Sequence, residues 1–331
     1  MSEASWNPQA LLALSNGYWR VCALHAAVKL DVFSHLYDLA MGAEQLAGEL
    51  GGDRDGVERL LVALAAMQLL EKAGGRFTCT PGAAEFLARQ SPHYMGHIIL
   101  HHRQLVESWA HLDEAVMTGR PVRSPYAGDD PEWRKNFLLG MYDLAMHLAP
   151  KLVAQIDLAG RRRLLDLGGG PGTWAIHFCR ENSDLEATVF DLPSTRGFAE
   201  ETIARFGLQE RIAFAAGDFL AGELPGRYDV AWLSHILHGE GEQEVRAILS
   251  KTAEVLEPGG LLLIHEFLLD DDRGGPLYPA LFSLNMLLGT SAGRAYSARQ
   301  LFELMREAGF KDARRLALDL PGESSVIAAT V

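Results

Sequence analysis

Between Asp166 and Gly172 the chain reads Asp-Leu-Gly-Gly-Gly-Pro-Gly, directly ahead of the helical stretch TWAIHFCR. A strand, a glycine turn and a helix in that order let a ligand lie against bare backbone, since glycine turns tightly and has no side chain in the way. A dinucleotide fingerprint would need glycine at 168, 170 and 173. Position 173 is Thr173, so the pyrophosphate-binding version fails. What remains is D-x-G-x-G-x-G, with Asp166, Gly168 and Gly170 as candidate cofactor contacts.

Asp191 ends the next strand-like run, VFDLP, about where an acid accepts hydrogen bonds from ribose hydroxyls. Asp218 and Phe219 follow Gly217 after a third run and offer a carboxylate and a ring to hold the edge and face of an adenine. Taken singly, Asp191 or Asp218 reads nearly as well as a helix cap. Together, three acids at three strand ends suit a ligand with a sulfonium and an amino group better than one with two phosphates. S-adenosylmethionine is such a ligand.

These positions need a scaffold that gathers strand ends on one edge. From Arg163 onward strand-like runs alternate with helical ones: LLDLG, ATVFDL, RIAFAAGD, YDVAWLSH, LLLIHEF, RRLALDL and SSVIAATV. Near-continuous apolar strands with helices between them predict an α/β fold, a largely parallel sheet covered on both faces. Only Pro321, Gly322 and Glu323 separate the last two runs, too few for a parallel crossover, so the last strand must be antiparallel to its neighbour.

Before that region the periodicity is helical up to about residue 115. AEQLAGEL, a Gly-Gly turn, VERLLVALAAMQLL with Asp55 as its cap, and the hairpin EKAGGRFTCT spell a winged helix. Residues 117–132 read as a loop, followed by a helix from Trp133 to Leu148 that Pro150 closes.

The chain has 331 residues, with 30 Lys and Arg against 43 Asp and Glu, a net charge of −13. That sign argues against a nucleic-acid partner. The winged helix does too: residues 1–90 hold seven basic and ten acidic side chains, or −3, and the second helix offers little beyond Arg59 and Gln68 to read bases. The apolar run LVALAAMQLL is too short to span a bilayer, and the opening MSEASWNPQA is unlike an export signal. A cytoplasmic protein without a membrane partner is expected. Cys22, Cys79 and Cys179 are spaced for neither disulfides nor zinc, and read as small buried hydrophobes.

In order along the chain, LLDLGGGPG, VFDLP, GDF, ILHGEGE and LEPGGLLLIHEF resemble the motifs of the class I S-adenosylmethionine-dependent methyltransferases, and more closely the dimeric small-molecule O-methyltransferases of the caffeate, acetylserotonin and hydroxyneurosporene type. The resemblance covers nearly the whole chain. It implies an all-α winged-helix dimerisation domain at 1–115, a linker and connecting helix lining the acceptor site at 116–150, and a Rossmann-like S-adenosylmethionine-binding catalytic domain at 151–331. A homodimer that methylates a hydroxyl of a small cyclic or aromatic metabolite follows from it. A carbon or nitrogen acceptor on the same fold, or a ligand-sensing winged-helix regulator without turnover, are the other readings.

The resemblance also implies site residues. His238 falls where the family has its general base, although the following Asp-Trp is replaced by Gly239-Glu240. Glu266 falls where an acid orients that base. The plant members' second glutamate aligns with Ala295, leaving Glu266 alone or assisted by Tyr296, Glu240 or Glu242. Ser234 and His235 match cofactor contacts, and Phe137, Met141, Asn285 and Met286 match acceptor-pocket positions, of which Phe137, Met141 and Met286 read equally as core. Tyr18 and Trp19 lie on a helix that could reach a partner's pocket. His93, His97 and His101, with His102 beside them, repeat at four-residue spacing on one predicted helix, and could line a pocket, face solvent or ligate zinc. No cysteine or carboxylate ladder accompanies them, so no metal is expected.

Overall fold

The computed structural model describes residues 6–123, 130–319 and 323–331. The chain forms two units, one up to Leu105 and the other from Val106. The first contains α1 (Pro8–Ser15), α2 (Tyr18–Lys29), α3 (Val32–His35), β1 (Met41–Gly42), α4 (Ala43–Leu50), α5 (Arg54–Ala66), β2 (Leu70–Ala73), β3 (Arg76–Cys79) and α6 (Pro81–Leu87); α7 (Gly96–Trp109) carries the boundary.

Helices α4 and α5 and the β2-β3 hairpin are the expected helix, turn, helix and wing, with β1 added as a third strand beside β3. Gly74 and Gly75, both at positive φ, make the hairpin turn where a side chain would be strained. Phe33, Leu36, Leu46, Leu61, Leu64 and Phe77 fill the core of the unit. The cap of α5 is Asp53 and not Asp55: Asp53 accepts the Gly56 N–H at 2.8 Å, while Asp55 sits in the first turn and pairs with Arg59. Helix α1 buries no residue at all. Cys79 and Cys179 are buried as expected, but Cys22 is exposed on α2, a helix whose apolar residues form no single stripe.

The second unit holds α8 (Leu112–Thr118), α9 (Pro131–Val153), β4 (Arg163–Leu167), α10 (Thr173–Glu181), β5 (Glu186–Asp191), α11 (Arg196–Arg205), β6 (Ile212–Ala216), β7 (Tyr228–Ser234), α12 (Glu242–Val255), β8 (Leu256–Leu269), α13 (Leu277–Gly289), β9 (Tyr296–Ser297), α14 (Ala298–Glu307), β10 (Lys311–Arg315) and β11 (Ser324–Thr330). The sheet runs β10-β11-β8-β7-β4-β5-β6, with β9 beside β8. The pairs among β6, β5, β4, β7 and β8 are parallel, whereas β11 is antiparallel to both β8 and β10. Alternate residues serve opposite cores. Leu164, Trp232 and Leu263 pack on one face, and Leu165, Leu233 and Ile264 on the other. Each such fully buried side chain contributes on the order of 1.5–3 kcal/mol.

Two boundaries differ from expectation. Helix α9 runs through Pro150 to Val153, because Ala149, Leu152 and Val153 are buried in the core beneath the sheet, and that burial offsets the lost hydrogen bond. The strand expected at RRLALDL begins earlier and is shorter, Lys311–Arg315, with an irregularity in its ladder after Lys311. Leu316 and Leu318 still pack on the core, and Leu320, Pro321 and Gly322 lie outside the described residues. Among the described residues no helix is long and apolar enough to cross a membrane.

Candidate active site

Strand order reverses between β4 and β7: the chain proceeds from β4 outward to β5 and β6, then returns to β7 and β8 on the other side. Ligands of open α/β sheets settle at the carboxyl ends of strands beside such a switch. Reading across that edge from β8 to β6, the chain presents Glu266, then Ser234 and His235, then the glycine loop, then Asp191, then Asp218 and Phe219.

The glycine loop is shaped by backbone that other residues adopt poorly. Gly168, Gly170 and Gly172 have φ of 66°, 54° and 77°, and a Cβ on Gly168 would stand 2.6 Å from Ile236 Cγ2. Asp166, 1% exposed, lies beneath this loop. Its Oδ2 accepts the Ala175 N–H at 3.1 Å and its Oδ1 is buried with no partner among the described residues. Burial pushes its carboxyl up to about 7; the Ala175 N–H opposes that rise and the charge of Asp191 adds to it. Asp191 ties the loop to β5, its Oδ2 accepting the Gly170 N–H at 2.8 Å and its Oδ1 the Thr195 hydroxyl at 3.0 Å. Asp218 accepts the Leu220 N–H at 2.8 Å, and Lys251 fixes the same turn by donating to the carbonyls of Phe219 and Leu220.

Across the switch, His235 adopts φ of 56°, in the left-handed region, and this turns the chain off β7 into a short 3₁₀ turn, Leu237–Gly239. The turn returns His238 over the end of β8. There His238 Nδ1 lies 2.8 Å from Glu266 Oε2. Glu266 is 2% exposed, and its Oε1 accepts the N–H groups of Leu237 and His238 at 3.0 and 3.2 Å. Burial alone would raise the Glu266 carboxyl, but His238, and His235 with its Nδ1 3.6 Å away, more than offset it and hold the group well below the usual carboxylate range. With Nδ1–H donated to a carboxylate, Nε2 is the imidazole's free basic nitrogen. The His238 side chain is 13% exposed, so it remains within reach of a small molecule. One ligand atom each from His235, His238 and Glu266 lies within 4.8 Å of the others, a grouping with which a metal ion could also be held.

Several residues not singled out in the sequence surround this pair. His265 is fully buried beside Trp174 and Trp232, and its Nδ1 lies 3.0 Å from the Ser234 hydroxyl, so Ser234 is bound to β8 as well as to β7. Phe282 sets its ring 4.6 Å from the His238 ring, edge to face, and Phe267 and Tyr278 complete an aromatic wall. The IHEF run, with ring-bearing residues on both sides of Glu266, is the one signal that could have revealed His265 and Phe267. Phe282 lies three residues before Asn285 on α13, and Arg123 sits in a loop without periodicity. Arg123 Nη2 donates to the Asn285 backbone carbonyl and to Asn285 Oδ1, at 3.2 and 3.1 Å.

The remaining expected positions are more scattered. Met286 is buried on α13, Phe137 stacks on Trp133 along α9, and Met141 is half-buried one turn later. Tyr296 is 2% exposed, and its hydroxyl donates to the Glu240 carbonyl at 2.6 Å, bracing the chain just after His238. Ala295 is buried, and among the described residues no second carboxylate pairs with His238. His93, expected on one helix with His97 and His101, lies ahead of the Gly96 start of α7 and pairs with Glu85 at 3.0 Å.

Comparison with known proteins places this geometry in a family. Residues 109–311 match the O-methyltransferase domain, and residues 12–89 match the O-methyltransferase dimerisation domain. The chain is 37% identical to 3-hydroxy-5-methyl-1-naphthoate 3-O-methyltransferase of Streptomyces sahachiroi over 97% of its own length and 94% of the relative's. It is 33% identical to the tetracenomycin polyketide synthesis 8-O-methyl transferase of Streptomyces glaucescens, covering 95% and 94%. The solved structure of PigF with S-adenosylhomocysteine superposes with a TM-score of 0.91 at 27% identity, over 98% of this chain and 100% of that one. With a glycine crevice at the switch point and both domains matched in order, the chain belongs to the class I S-adenosylmethionine-dependent O-methyltransferases that carry an N-terminal dimerisation domain.

Proposed function

We propose that the protein methylates a ring hydroxyl of a small aromatic metabolite, with His238 as the general base and Glu266 as the residue that positions it. The observation that carries this reading is the 2.8 Å contact between His238 Nδ1 and a buried carboxylate, which leaves Nε2 as the proton acceptor. A phenol with a pKa of about 10 keeps its proton at neutral pH, so a base is needed at the acceptor oxygen. The relatives' names support a fused-ring aromatic acceptor: one acts on a hydroxynaphthoate, another in synthesis of a polyketide.

The crevice suits the cofactor on chemical grounds. Bare backbone at Gly168 leaves room that a Cβ would fill, and Asp166 offers a buried oxygen without a partner among the described residues. S-adenosylmethionine, when bound, supplies a methyl group on a sulfonium that is already an activated electrophile. Asp191 and Asp218 are assigned to its adenosine, and Asp166, Gly168, Gly170, Ser234 and His235 to the rest of it. The protein's own work is then to align the acceptor oxygen and remove its proton. Alignment is worth on the order of 7 kcal/mol in favourable intramolecular systems, and a positioned base adds roughly 10²- to 10⁴-fold.

The working unit is a homodimer formed through the N-terminal unit, whose α1 and α2 expose Leu12, Leu14, Tyr18 and Trp19. The general-base assignment is tested with His238→Ala. Calorimetry should show S-adenosylhomocysteine bound as in the parent, while turnover with a panel of hydroxynaphthalenes falls at least roughly 10²-fold. Unchanged turnover removes His238 from that role.

A further inference from the structure

Arg123 is the cation that this reading leaves unused. The protein carries 43 acidic and 30 basic side chains, yet no carboxylate among the described residues pairs with Arg123. Its Nε is buried without an acceptor among the described residues, and burial disfavours its charge. Its Nη2 is held by Asn285, and its backbone N–H by the Leu288 carbonyl at 3.2 Å, so the guanidinium is fixed against α13. A Cβ on Gly289 would stand 2.6 Å from the guanidinium, so only glycine lets the group lie there.

Phe282, Asn285 and Gly289 are spaced by three and four residues and share one face of α13. His238 meets that face at Phe282, and Arg123 meets it at Asn285 and Gly289. Along a helix axis, Phe282 to Asn285 is about 4.5 Å and Phe282 to Gly289 about 10.5 Å. An imidazole and a guanidinium thus face one stripe with a separation on the order of 5–10 Å, the reach from a ring hydroxyl to a carboxylate across one or two fused aromatic rings.

We infer that Arg123 is a specificity-determining residue that receives a carboxylate on the acceptor, so that the preferred substrate is a hydroxylated aromatic acid and not a neutral phenol. Asn285 is the positioning residue that holds the guanidinium toward it. A carboxylate oxygen can accept from Nη1, which no described residue holds, and brings a counter-charge that none of the described residues supplies. Against a net charge of −13, a fixed local cation favours capture of an anionic acceptor at the site itself.

This inference rests on the proposed methyl transfer, and the test separates the two. The matched acceptors are 3-hydroxy-1-naphthoate and 2-naphthol, which differ only in the carboxylate. The ratio of their kcat/KM values is measured in the parent, in Arg123→Met and in Arg123→Lys, so that any general loss cancels. The parent should favour the acid at least tenfold, Arg123→Met should bring the ratio near one, and Arg123→Lys should keep part of it. A ratio that is equal in parent and Arg123→Met, or a parent that favours 2-naphthol, overturns the inference. If neither compound is methylated, the reaction reading fails, and the carboxylate site is tested alone by titrating unreactive 1-naphthoate into protein loaded with S-adenosylhomocysteine. A tenfold or greater loss of affinity in Arg123→Met supports the site, and equal affinity refutes it.

Discussion

Glu266 holds His238 at two points: its Oε2 lies 2.8 Å from the ring Nδ1, and its Oε1 accepts the His238 backbone N–H at 3.2 Å. The same carboxylate therefore fixes both the turn and the ring that the turn carries. Glu266→Gln keeps the shape and an acceptor but removes the charge that steadies the imidazolium formed as the acceptor loses its proton. Turnover should fall on the order of 10²-fold with acceptor KM and cofactor affinity little changed. Steady-state kinetics with calorimetry check this; equal changes in kcat and KM would mean a general loss of structure. Glu266→Ala is less informative, because breaking a buried pair costs about 3–5 kcal/mol of stability.

Asp166 yields a pH-dependent expectation. Its carboxyl is pushed up to about 7 in the folded chain, against about 3.9 in an unfolded one. The folded state keeps its proton where the unfolded state has released it. The associated stability is complete below about pH 4 and is lost as the pH rises through 7. Asp166→Asn cannot ionise and still offers an acceptor to the Ala175 N–H. Parent and variant should therefore be equally stable near pH 4, with the variant ahead at pH 8 by at most about 4 kcal/mol. Urea unfolding across that range measures the gap, and a gap that does not change with pH contradicts the assignment.

The glycine loop allows a comparison between two residues of similar backbone. Gly168 and Gly170 both have positive φ, but a Cβ on Gly168 meets Ile236 at 2.6 Å whereas one on Gly170 meets nothing within 4 Å. Gly170→Ala should cost about 1 kcal/mol, the strain of the left-handed backbone alone. Gly168→Ala adds a clash at the floor of the crevice and should cost about 1–3 kcal/mol in stability, with a larger loss of S-adenosylhomocysteine affinity. Equal effects from the two substitutions would show that the contact with Ile236 relaxes freely.

The alternation of apolar strands and helices after Arg163 determines the sheet, because strands buried on both faces must be apolar almost throughout. The antiparallel β11 was legible from the short link before it, and the D-x-G-x-G-x-G spacing located the crevice. The relation between His238 and Glu266 was legible only through family resemblance, since 28 residues separate them and no periodicity links a turn after β7 to the end of β8. Arg123 and Phe282 could not be read at all. Their meaning depends on where α13 lies, which tertiary packing decides. Local signals misled where packing overruled them: Pro150 did not stop α9, and Asp53, one residue ahead of the helix, took the capping role expected of Asp55.

Tyr296 offers a test of support against substrate contact. Its hydroxyl donates to the Glu240 carbonyl at 2.6 Å, and burial pushes its phenol further from ionisation. Tyr296→Phe leaves that part-buried carbonyl short of a partner and should cost about 1 kcal/mol. If the residue only braces the turn beyond His238, thermal stability falls while acceptor KM stays within about twofold, a difference of roughly 0.4 kcal/mol. A tenfold rise in KM with stability unchanged would instead place the hydroxyl in the acceptor pocket.

The last expectation concerns assembly. Helix α1 buries none of its residues, with Leu12 67% and Leu14 66% exposed, and Trp19 on α2 is 62% exposed. Apolar side chains concentrated in this way cost free energy in water unless another surface covers them. Leu12→Asp combined with Trp19→Asp removes that apolar surface without touching a buried contact, so the circular dichroism spectrum and melting of the second unit should be preserved. Light scattering at micromolar concentration should then change from the mass of two chains to that of one. If the doubly substituted protein remains a dimer, these helices are not where the copies meet.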